Sequence, residues 1–176
     1  MKKMIIAPLL CALALAGCSA FGGSSDDSSS QTESFNLSTD SEAADEFVDR
    51  YMQKMKNKAP AEEVFCDVYT EDFIDKLKDN GQWEMTKQSI ESTYPYIKDV
   101  SSKRTGILTE NQLRGAELVY KTITGESVEI LSGYSYDYTT YLEINGQSSN
   151  IPSELCAIYL VDDGWKVLNS SPKSLG

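Results

Sequence analysis

Residues 134–144 read YSYDYTTYLEI. In an extended chain successive side chains point to opposite sides, so Tyr134, Tyr136, Tyr138, Thr140, Leu142 and Ile144 share one face. The stretch is therefore a strand, and the longest one expected. Further period-two segments fall at residues 116–124, 127–131, 154–161 and 165–169. Between them stand Thr124-Gly125, Ser132-Gly133, Asn145-Gly146 and Asp162-Asp163-Gly164, residues that tolerate positive φ. Strands joined by such short turns must run antiparallel.

Upstream the period changes to that of a helix. Ala44, Phe47, Val48, Tyr51, Met52 and Met55 form one stripe, with Glu42, Asp45, Glu46, Asp49, Arg50, Lys54 and Lys56 on the other side. Thr39, Asp40 or Ser41 is placed to cap its start. Pro60 opens a second helix through Val64, Phe65, Val68 and Tyr69. Thr70 before Glu71 and Asp72 caps a third through Phe73, Ile74 and Leu77, closed by Asn80-Gly81. A fourth is expected over residues 83–93, stopped by Tyr94-Pro95, and residues 97–113 carry no decisive pattern. The fold class that follows is α+β, with the N-terminal helices packed on one face of a curved antiparallel β-sheet. Residues 40–176 form one domain, without internal repeats.

The N-terminus has a different character. Lys2 and Lys3 precede an apolar run over residues 4–15, too short to span a bilayer, which takes roughly 20 residues. It ends in Leu15-Ala16-Gly17-Cys18, which resembles the lipobox of bacterial lipoproteins. That resemblance implies a signal peptide over residues 1–17 and diacylglycerol on Cys18. Residues 18–39 are Ser- and Asp-rich, with only Phe21, Phe35 and Leu37 to bury, so a flexible tether is expected. Its reach is roughly 25 Å. The chain carries 16 basic and 27 acidic residues, net −11. Loss of Lys2 and Lys3 leaves 14 against 27, about −13, a charge repelled by nucleic acid and anionic lipid alike. Membrane attachment is then through lipid, not a basic patch. Ser19 after the cysteine resembles the outer-membrane address of Gram-negative lipoproteins, with a Gram-positive cell membrane as the alternative.

The helical Ala-x-x-Phe-Val-x-x-Tyr stripe, the Tyr69-Thr70-Glu71-Asp72-Phe73 step and the ending Ile158-Tyr159-Leu160-Val161-Asp162-Asp163-Gly164-Trp165-Lys166-Val167 resemble NTF2-like (cystatin-like) domains. The resemblance implies a cone in which helices lie across the sheet. It does not select a function, because such domains serve as enzymes, ligand carriers and interaction modules.

Chemistry is sparse. There is no histidine, which excludes Ser-His-Asp, Cys-His and histidine-metal sites. No carboxylate spacing fits a metal and no Gly-rich loop fits a phosphate, so no cofactor is expected. The tyrosine face (Tyr134, Tyr136, Tyr138, with Tyr120 and Trp83 beside it) either lines a ligand pocket under the helices or fills a core. Asp137 alternates to the opposite face, so a Tyr/Asp acid-base site needs a bulge or a carboxylate from another element. The expected function is a membrane-anchored, non-catalytic binding or interaction module for an envelope protein or small ligand. A small-molecule-binding or acid-base enzyme is the alternative. With Cys11 in the signal and Cys18 lipidated, Cys66 and Cys156 remain, and export to an oxidising compartment leads to an expected disulfide between them. Two buried free thiols are the other outcome.

Overall fold

The computed structural model describes residues 37–176. The lipobox, Cys18 and the tether up to residue 36 lie outside the described residues. The elements are α1 (Leu37–Lys56), α2 (Ala61–Phe65), α3 (Glu71–Asp79), α4 (Trp83–Glu91), a 3-10 turn (Tyr94–Tyr96), β1 (Ile97–Ile107), α5 (Glu110–Thr124), β2 (Ile130–Ile144), β3 (Gln147–Leu160), β4 (Gly164–Leu168) and a final 3-10 turn (Pro172–Ser174). The fold is α+β: helices packed on a curved, four-stranded antiparallel sheet in the order β1-β2-β3-β4. No described helix is long and apolar enough to cross a membrane.

Besides shifted ends, such as β3 beginning at Gln147 and α2 ending at Phe65, three segments change assignment from the sequence expectation. Residues 116–124 are not a strand but the C-terminal part of α5. Thr109 starts that helix with a complete capping box: its hydroxyl accepts from Gln112 N–H, and the Gln112 side chain accepts from Thr109 N–H at 2.9 Å. Gly125, at φ +76°, ends it as a left-handed cap instead of turning a hairpin. Residues 97–107 form β1, whose charged side chains hid it. The third difference is at Ser132-Gly133, which lies inside β2. A Cβ on Gly133 would come within 2.7 Å of Leu108 Cδ1, so glycine is there for close packing.

These differences place helices on both sides of the sheet. Along β3, Leu155, Cys156, Ala157 and Ile158 are all 0 % exposed, although alternate residues face opposite ways. Leu155 and Ala157 pack with Phe47, Val48, Tyr51 and Met52 of α1, and with Tyr134 and Tyr136. Cys156 and Ile158 pack with Ala116 and Tyr120 of α5, and with Leu175 of the C-terminal tail. The short helices α2 to α4 share a separate cluster around Phe65, Ile74, Leu77 and Trp83. Their connection also covers the β4 edge, where Val167 N–H donates to the Asp67 carbonyl at 2.7 Å.

Candidate functional site

The tyrosine face is built by α1, β1 and β2. Tyr136 projects from β2 beneath α1, and its hydroxyl donates to Asp45 Oδ1 at 2.8 Å. Arg104, the β1 partner of Tyr136 in the strand register, approaches Asp45 Oδ2 at 3.5 Å and lies over the Tyr134 ring at 5.6 Å. Asp45 is thus the carboxylate from another element that a Tyr/Asp pair requires. Its position on the polar side of the α1 stripe concealed that role, and Arg104 fell in the segment without a pattern. Asp137 faces the other way, opposite Lys103 and Glu154.

The pair is not poised to exchange a proton. Burial, the hydrogen bond to Asp45 and the Asp45 charge push the Tyr136 phenol far above its ordinary value, with Arg104 opposing only in part. A phenol so raised stays protonated and acts as a hydrogen-bond donor. Tyr134 and Tyr136 are buried among the side chains of α1 and β3, so the geometry is that of a clasp holding the helix to the sheet.

The five residues expected to share a pocket occupy separate places. Tyr138 is half-buried against the same cluster as Tyr134 and Tyr136. Tyr120 belongs to α5 on the opposite face, where its hydroxyl accepts from Thr70 N–H at 3.0 Å and burial pushes it up to about 12. Trp83 starts α4 and packs on Phe65, with Lys78 and Lys87 each 5.7 Å from its ring. The period-two pattern of residues 116–124 predicts a strand with Tyr120 beside the other tyrosines, whereas the helix carries it to the opposite face.

The expected disulfide is not seen: Cys66 and Cys156 are both free thiols in the structure. Cys66 follows α2 and is exposed. Its carbonyl receives Lys166 Nζ at 2.9 Å, and the next residue bonds the outer edge of β4. Cys156 is buried on β3, opposite Leu168, with its thiol 3.4 Å from the Ser170 carbonyl. With β4 between them the two positions are about two strand spacings apart, roughly 9–10 Å, beyond the ~7 Å that a disulfide bridges. Burial and the Glu154 charge push the Cys156 thiol up to about 12.

An open groove of about 620 Å³ lies where α3 begins, α5 leads into β2 and β3 turns into β4. Its walls include Asp72, Glu126, Glu129, Asp162 and Asp163. Glu126 is held by Thr70 Oγ1 at 2.5 Å and Lys76 Nζ at 2.7 Å. Among the described residues no group of His, Cys, Asp or Glu is arranged to hold a metal ion. No family model, curated protein or solved structure matches this chain.

Proposed function

We propose that this chain is an extracytoplasmic lipoprotein whose NTF2-like domain is a non-catalytic binding module, held to a membrane by lipid on Cys18. The burial of the tyrosine face beneath α1 carries this reading. With that face filled and its phenol locked as a donor to Asp45, binding falls to the outer surface of the domain. The lipobox and the length of the segment before α1 support presentation of the domain away from a membrane, with the outer membrane favoured on Ser19. The partner class is an envelope protein or a small ligand, not nucleic acid, which the net charge of −11 repels.

The Tyr136–Asp45 contact is the one observation favouring an acid-base enzyme instead. Two measurements on full-length protein expressed with its leader separate the readings. Mass spectrometry should find acylated Cys18 at a new N-terminus, and Cys18→Ser should abolish it. Native mass spectrometry should find no small molecule whose retention depends on Tyr136. A ligand that is present in wild type and lost in Tyr136→Phe would overturn the non-catalytic reading.

A further inference from the structure

The α1 side of the sheet is not covered to its end. Where β1 finishes, β2 begins and β3 turns into β4, apolar side chains stand in solvent: Ile107 is 58 % exposed, Leu131 46 % and Val161 43 %. Ile107 is paired with Tyr134, so it lies on the α1 side. Leu131 is the extra residue between Ile130 and Ser132, opposite Tyr159 and Leu160. Val161 continues from Leu160, its N–H donating to the Glu129 carbonyl. Between them lie half-buried Tyr159 and Trp165, packed edge to face at 5.2 Å. An unpartnered apolar end of a sheet on a soluble domain marks a contact surface.

The charges around this end identify the occupant. Glu129 lies two residues before Leu131 in the chain and Asp162 follows Val161, and Glu129, Val161, Asp162 and Asp163 line the groove together with Asp72 and Glu126. Lys76 in the groove is engaged by Glu126 and Arg104 by Asp45, while Arg50 lies over Phe47, whose ring stacks on Trp165. A second copy would bring two acidic rims together, and anionic lipid or nucleic acid would be repelled for the same reason. We propose that this end of the sheet docks a basic amphipathic segment of an envelope protein, its apolar side chains on Leu131, Val161 and Trp165 and its Lys or Arg residues on the acidic rim. The inference rests on the binding-module reading and names the partner chemistry.

The test uses the mature full-length protein and three fluorescent peptides of equal length: alternating Leu and Lys, the same with Glu for Lys, and the same with Ser for Leu. Anisotropy should show the Leu/Lys peptide binding about tenfold or more tightly than either control, with affinity falling as salt is raised. The double change Leu131→Ser with Val161→Ser should weaken it about tenfold. The pair Asp162→Asn with Asp163→Asn should weaken it and flatten the salt dependence. Leu118→Ser, at an exposed apolar position on α5, is the control and should change nothing. Equal binding of the Leu/Glu peptide would overturn the basic partner while leaving a binding module in place. Insensitivity to both double changes would overturn the location. Failure of all three peptides to bind would overturn the proposal. The module reading would then still stand or fall on the ligand and Cys18 measurements.

Discussion

Leu155 and Ala157 of β3 lie under α1, while Cys156 and Ile158, each one residue along, lie under α5. On the α1 side the contacts are aromatic and carry a polar clasp, Tyr136 to Asp45 to Arg104. On the α5 side they are largely aliphatic, with a buried thiol and one tyrosine hydroxyl turned to the α2–α3 connection. A strand buried on both faces reads as a continuous apolar run, whereas a half-buried strand alternates. The run Leu155-Cys156-Ala157-Ile158 is of the first kind, whereas Tyr134 to Tyr138 alternates in sequence, although Ser135 is buried along with Tyr134 and Tyr136. Apolar continuity in β3 therefore requires a second helical layer, and α5 supplies it.

The sharpest way to break this comparison is to excavate each face in turn. Leu155→Ala and Ile158→Ala should each cost about 2–5 kcal/mol in urea unfolding, since both side chains are fully buried. A loss below about 1 kcal/mol for Ile158→Ala alone would mean that α5 does not cover its face.

Alkali should act on both faces. Cys156 and Tyr120 are pushed up to about 12, and burial raises Tyr136 and Tyr51 further. The folded state thus keeps protons that the unfolded chain releases from about pH 8.5 for Cys and 10 for Tyr. Stability is fully present below that range and falls as pH rises towards 12, by on the order of several kcal/mol at pH 11. Urea midpoints between pH 7 and 11 check the slope, and Cys156→Ala should remove its early part. In the native protein at pH 8 a thiol reagent should label Cys66, and Cys156 only after unfolding. Absence of label on both before reduction would restore the disulfide.

Smaller effects distinguish the polar features of the two sides. Tyr136→Phe should cost about 1 kcal/mol, because the half-exposed Asp45 recovers water when the bond is lost. Thr109→Ala, which removes the α5 cap, should cost a similar ~1 kcal/mol. Thermal denaturation of the pair would show a clasp much stronger than this if Tyr136 and Asp45 form a sealed polar site.

Much of the fold was legible in the residues. The α1 stripe survives intact in its packing, although the helix begins at Leu37 and not at the expected cap. Thr70 caps α3 through Phe73 N–H, and Asn145-Gly146 takes positive φ at both positions of the β2–β3 turn. The failure at residues 116–124 was a failure of period. Ala116, Tyr120 and Thr124 are four apart as well as alternate, and both templates fit until Thr109 and Gln112 are recognised as a capping box. With that box recognised, Gly125 is a helix cap and not a hairpin residue. β1 escaped because Lys98, Asp99, Lys103 and Arg104 give it the charged surface of an edge strand, which discourages pairing with other chains. The site was less legible than the fold, because Asp45 meets Tyr136 across 91 residues through tertiary packing that no local pattern encodes.

The central claim is that the tyrosine face is core and not pocket, and Tyr136→Ala tests it most directly. Equilibrium urea unfolding should show a loss of about 3 kcal/mol or more, as expected for an aromatic side chain removed from a packed interior. Stability within about 1 kcal/mol of wild type, with the loss of a bound small molecule in its place, would contradict it.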